Sequence, residues 1–182
     1  VEGAKKAAAE ADVAIVFAVQ WTTEAQDAVN LSLPYHQDDL ISAVAAAQPH
    51  TIAVLETGGP VTMPWIDKVP AVVEAWYPGQ RGGEAIADIL TGKANPSGRL
   101  PITFPVSASQ APRPEPVGLD KLNSLEAQAA ANPADASDYQ LKSYPVDYVE
   151  GANVGYRWYE QQREKPLFPF GHGLSYASFA YR

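Results

Sequence analysis

Between Gln20 and Leu33 lies a polar stretch that carries Trp21, Glu24 and Asp27, an indole within a few residues of two carboxyls. A tryptophan face stacks on the C–H surface of a sugar ring, and a protonated carboxyl can deliver its proton to a leaving oxygen. The same residue types also make an ordinary solvated loop, and spacing alone does not separate the two readings. Other chemistries find less support. His36, His50 and His172 are far apart and form no HExxH or paired-ligand pattern, so no metal is expected. The chain has no Cys, which removes thiol nucleophiles, thiolate metal sites and disulfides. Gly58-Gly59-Pro60 follows an apolar run, but it lacks the GK[ST] ending of a phosphate cradle, and no GxGxxG occurs. Ser97 and Ser175 stand in no nucleophile-elbow context.

Composition narrows the partners. In 182 residues, 13 Lys and Arg face 21 Asp and Glu, a net charge of -8. A surface that reads phosphate charge needs clustered cations, so nucleic acid is not an expected partner. Hydrophobic residues make up 46% of the chain, enough for a core. No apolar run reaches the ~18 residues that span a bilayer, and no membrane partner is expected. The length suits one domain and falls short of a complete (β/α)₈ barrel, which takes about 250 residues.

The elements that must position the loop alternate in type. Residues 2–11 read as the end of a helix, and Val13–Val19 as a strand apolar enough to be buried on both faces. Pro34 is expected in the first turn of a helix whose inward residues are Leu40, Ile41, Val44 and Ala45, with Asp38 and Asp39 at its positive end. Further strands are expected near 51–56, 71–76 and 100–104. Gly82–Leu90 reads as a helix with Ala85, Ile86, Ile89 and Leu90 inward, ended by Gly92. This alternation implies a mostly parallel sheet flanked by helices on both faces. Ligands of such sheets bind at the strands' carboxyl ends, which here lead into the loops Gln20–Leu33, Glu56–Pro64 and Tyr77–Gly83. Residues 106–143 are Pro- and Ala-rich and read as a long irregular excursion, with a short helix at Leu122–Ala131. VGYRWYE near the end reads as one more strand. Gly58, Gly59, Gly79, Gly171 and Gly173 are expected at tight turns, and Trp65, Trp76 and Trp158 in the core.

Four strings carry a family resemblance: LSLPYHQDDLI, TGGPVTMPWID, AWYPGQRGGEAIADILTGKANPSGRLPITFP and VGYRWYE…PLFPFGHGLSY. Together they resemble the C-terminal α/β sandwich domain of glycoside hydrolase family 3, of the β-glucosidase type, in order from about Ala11 to Phe179. The resemblance implies a flavodoxin-like α/β sandwich over residues 1–182, with its first strands upstream of Val1 and 106–143 as an insertion. It implies a retaining exo-acting β-glucosidase that removes terminal non-reducing β-D-glucosyl residues without a cofactor. In that family a separate N-terminal barrel domain holds the aspartate nucleophile, and no such motif occurs in this chain. Glu24 sits where the family's acid/base glutamate lies, and Trp21 and Asp27 are the implied substrate contacts. Many members read Gly-Glu-Gly-Tyr-Asp-Arg where this chain has Thr23-Glu24-Ala25-Gln26-Asp27-Ala28, so the tyrosine and arginine contacts are lost. A periplasmic or secreted location is favoured with a cytoplasmic one left open, and the resemblance implies inactivity without the barrel. A non-catalytic carbohydrate-binding or scaffold domain is the rival reading, and a scaffold has no need of a carboxyl at position 24.

Overall fold

The computed structural model describes residues 1–24, 28, 30–115, 117–118 and 145–180. The predicted excursion helix at Leu122–Ala131 lies outside the described residues. Elements follow in the order α1 (Glu2–Ala9), β1 (Ala14–Val19), α2 (Gln37–Ala47), β2 (Thr51–Glu56), a 3₁₀ turn (Ile66–Lys68), β3 (Ala71–Glu74), α3 (Gly82–Leu90), a second 3₁₀ turn (Ala108–Gln110) and α4 (Tyr156–Gln162). The strands form one parallel sheet in the order β1-β2-β3. Ala14 pairs with Thr51, Val16 with Ala53 and Ala18 with Leu55, and Ala53 in turn pairs with Val72. The architecture is a parallel sheet with flanking helices, as the alternation of patterns implies.

Side chains alternate across a strand, so this register puts Ala14, Val16, Ala18, Ala53 and Leu55 on one side of the sheet. There they join Ile41, Val44 and Ala45 of α2 and the fully buried Trp65 and Phe104 in one apolar cluster. The small Ala side chains of β1 let α2 approach closely, and α1 packs on α2 in turn. Buried Gln48 joins the two helices, its amide donating to the carbonyls of Ala8 and Ala11. Ala8 lies in the last turn of α1 and Ala11 just past it, and the Ala8 carbonyl also accepts from Ala11 N at 3.1 Å.

Several expectations need correction. Along β1 burial alternates instead of being continuous: Ile15, Phe17 and Val19 on the far side are 46%, 50% and 44% exposed. On the far side of β2, Val54 is fully buried and Ile52 and Glu56 are half-buried. Residues 100–104 form no named strand. They pair antiparallel with 168–172 at both ends, through Phe104 with Phe168 and through Leu100 with Gly171 and His172. VGYRWYE is no strand: Gly155 turns the chain with φ 57° and Tyr156–Gln162 is helical. Helical spacing there places Tyr156 against Phe170 at 5.2 Å, and Trp158 donates its indole N–H to Gln110 O at 2.8 Å. Pro34 precedes α2 without entering it, and Ala85 is exposed while Ile86 is buried. Gly92, with φ 73°, ends α3 as expected.

The first part of the excursion is joined to the segment that follows it. Arg113 Nη1 donates to Glu150 Oε2 at 2.6 Å, and its guanidinium lies over the Tyr148 ring. The hydrogen bond from Arg113 holds the Glu150 carboxyl below its usual range, and Glu150 raises Arg113 in return. Gln37 of α2 has a different task. Its side chain accepts from Val19 N and donates to Val19 O, both at 2.8 Å, on the side of β1 that has no neighbouring strand among the described residues.

Candidate active-site loop

The three strands deliver three loops to one end of the sheet. β1 runs into Gln20 and Trp21, β2 into Thr57 and Gly58, and β3 into Trp76 and Tyr77. The hydroxyl of Tyr77 joins the first loop to the third. It donates to Gln20 O at 2.6 Å and accepts from Thr22 N at 3.2 Å, with Thr22 Oγ1 at 2.6 Å. A phenol has one proton to give, and Gln20 O takes it, so the Thr22 hydroxyl is the donor in the remaining bond. The hydroxyl's hydrogen-bonding capacity is thereby full.

The second loop runs close beneath this junction. A Cβ at Gly58 would overlap Thr22 Oγ1 and come within 2.9 Å of the Tyr77 hydroxyl oxygen. Gly58 has no left-handed φ, so its expected role as a turn residue is corrected. Its missing side chain leaves the space in which Thr22 and Tyr77 meet.

Tyr77 is itself held from the strand behind it. Trp76 has φ 53°, a costly conformation for a bulky residue that persists only when the surroundings enforce it. Glu74 accepts from Trp76 N at 2.9 Å and faces the hydroxyl of buried Thr57 at 3.3 Å. The Trp76 ring packs on the core beside Phe104, 6.1 Å between centroids. Burial raises the Glu74 pKa to about 7, outweighing hydrogen bonds from Trp76 and Thr57 that act the other way.

At its far end the first loop is pinned to the core. Asp38 accepts from the buried indole of Trp65 at 2.7 Å and from Leu33 N at 3.2 Å. Asp38 thus does more than face the helix's positive end. Tyr35 and His36 both take φ 58° as the loop enters α2. Between its two anchors the loop presents Trp21, 83% exposed, and Glu24, exposed in a turn two residues after Thr22. The third predicted site residue, Asp27, lies outside the described residues. Among the described residues no group of three or more His, Cys, Asp or Glu could hold a metal ion.

The loop thus presents an aromatic face and a carboxyl, both open to solvent. Comparison with known proteins gives the family of the domain. The model of the glycosyl hydrolase family 3 C-terminal domain matches residues 1–176. The chain belongs to that family. Beta-glucosidase B of Emericella nidulans is 46% identical over 185 residues, covering 96% of this chain and 20% of the relative. Thermostable beta-glucosidase B of Acetivibrio thermocellus is 44% identical over 181 residues, covering 98% of this chain and 21% of the relative. Among solved structures, a β-glucosidase from Streptomyces venezuelae in complex with D-glucose superposes with a TM-score of 0.78 at 46% identity, covering 98% of this chain and 20% of that one. The chain thus spans about a fifth of the length of the curated relatives it matches.

Within this family 3 domain the sequence signalled the loop but not what holds it. Glu74 carried one legible sign, a lone carboxylate in the apolar run AVVEAW. Buried unpaired charge is costly, so such a residue must find donors or keep a proton. Tyr77 and Thr22 carried none, because they lie 55 residues apart and meet only in the fold.

Proposed function

We propose that this domain supplies the acid/base glutamate, Glu24, of a retaining exo-acting β-glucosidase whose aspartate nucleophile lies in a barrel domain outside this chain. The reading is carried by one observation: Glu24 stands exposed at the carboxyl end of a parallel sheet, in a loop anchored at both ends beside an exposed tryptophan. A loop free to drift would not need three hydrogen bonds to one phenol oxygen.

In the reaction, Glu24 donates its proton to the glycosidic oxygen while the nucleophile's carboxylate attacks the anomeric carbon. The aglycone leaves as an alcohol and a glycosyl-enzyme ester forms. Glu24, now a carboxylate, takes a proton from water, whose oxygen attacks the anomeric carbon and frees the sugar and the nucleophile. Retaining pairs stand ~5–5.5 Å apart, so the second carboxyl must approach the open side of this loop. Trp21 offers a sugar-stacking face there, and Asp27 is the second proposed substrate contact. On this reading the 182-residue chain is inactive by itself.

The test is Glu24→Ala in the complete, barrel-containing enzyme. Turnover of cellobiose or alkyl glucosides should fall by about 10²–10⁴, while 2,4-dinitrophenyl β-glucoside, whose leaving group needs no proton, should still be cleaved to the glycosyl-enzyme stage. Azide should then yield glucosyl azide, because it needs no general base. Equal, modest losses on all substrates without an azide response would assign the acid/base role to another residue and leave Glu24 a binding contact.

A further inference from the structure

We propose that Tyr77 is the positioning residue of the acid/base loop: its hydroxyl fixes the backbone of Gln20 and Thr22, and through them the place of the Glu24 carboxyl relative to the glycosidic oxygen. The inference rests on the reading of Glu24 given above. It stands on three observations. All the hydrogen-bonding capacity of the Tyr77 oxygen is spent on the segment from Gln20 to Thr22. The neighbouring loop leaves room for that meeting by having no side chain at Gly58. The backbone that carries Tyr77 follows a left-handed Trp76 whose N–H is held by Glu74, so the phenol is presented from a fixed base.

The chemistry explains why this matters. Proton transfer needs the carboxyl within hydrogen-bond reach of the leaving oxygen, and small displacements of a catalytic group cost large factors in rate. Only two residues separate Thr22 from Glu24, so freedom at Thr22 becomes displacement at the carboxyl. Trp21 lies between the two residues the phenol holds, so losing the junction also loosens the sugar-stacking face, a loss shared by all glucosides. Displacement of Glu24 adds a loss only where the leaving group needs a proton, so Tyr77→Phe should lose more kcat/KM on poor leaving groups than on good ones.

In the complete enzyme, Tyr77→Phe should lower kcat/KM on cellobiose about tenfold more than kcat/KM on 2,4-dinitrophenyl β-glucoside, because only the first step with cellobiose needs a proton from Glu24. Gly58→Ala, which forces Thr22 and Tyr77 apart without removing the hydroxyl, should give the same substrate-dependent pattern. Adding Thr22→Val to Tyr77→Phe should cost less than the two single effects combined, since both remove one junction. A purely structural role would lower activity on both substrates alike, and that result would overturn the inference. A second measurement reads the junction without turnover: amide exchange at Thr22 in the complete enzyme should quicken several-fold in Tyr77→Phe. Unchanged exchange there would equally overturn it. Run beside these, Glu24→Ala separates the failures. A normal leaving-group signature for Glu24→Ala with none for Tyr77→Phe removes only the inference, whereas no signature for Glu24→Ala removes the proposed function as well.

Discussion

On one side of β1, Ala14, Val16 and Ala18 are buried in the cluster built with α2; on the other, Ile15, Phe17 and Val19 remain about half exposed. The contrast does not continue into β2, where Val54, paired with Phe17, is fully buried. The bare strip is thus confined to the strand at the sheet's edge. Its residues are as apolar as those of the covered side, so composition did not decide which side is sealed. What differs is the supply of a cover: α2, the Trp65 segment and Phe104 reach one side only. Free energy of burial should therefore be concentrated on that side, and substitutions on the two sides should differ in cost.

The largest effect is expected where the covered side is densest. Trp65→Ala removes a fully buried ring and leaves Asp38 without its indole donor, so it should cost about 3–5 kcal/mol in the unfolding free energy, read by urea denaturation. A cost below about 1 kcal/mol would mean that the cluster does not hold the covered side together.

Glu74 lies at the carboxyl end of the same side and gives a pH-dependent test. Its folded pKa of about 7 lies above the ordinary glutamate value of 4.5, so the native state binds the proton more tightly than the unfolded chain. Its contribution is complete below pH ~4.5 and is lost as pH rises toward ~7, because unfolding then releases a proton. Allowing for its partial exposure to solvent, the loss should be about 2 kcal/mol. Glu74→Gln, which resembles the protonated form, should abolish that slope. The wild-type minus variant difference, measured at several pH values, isolates it from other groups, and a flat difference would show that Glu74 is solvated in the native state.

The smallest effect belongs to the bare strip. Phe17→Ser in the 182-residue chain should cost about 1 kcal/mol, because half of the ring is already in water. Val16→Ser, one residue away, should cost clearly more. Equal costs for the two would erase the contrast and mean that Phe17 is covered in solution.

The sheet could be read from sequence because short apolar runs between turn signals leave few alternatives, and β1, β2 and β3 lie close to the expected segments. The runs could not say which side would find a cover, since Ile15 and Val16 look alike to any hydropathy pattern. Tyr156–Gln162 was misread because its aromatics favour strands in general, while here Tyr156 packs at Phe170 from a helical turn. For the loop, residue types suggested Trp21 and Glu24. Their supports escaped notice because a phenol oxygen that binds two residues across 55 and 57 positions leaves no periodic trace.

Gln37 has a consequence for how the sheet could grow. By its alternation, β1 turns the backbone groups of Ile15, Phe17 and Val19 toward the open edge, and the Gln37 amide already occupies those of Val19. A strand added at this edge would find hydrogen-bonding partners at Ile15 and Phe17 and then meet an end-stop. The glutamine thus sets a fixed terminus for any strand paired along this edge, two residues short of Trp21.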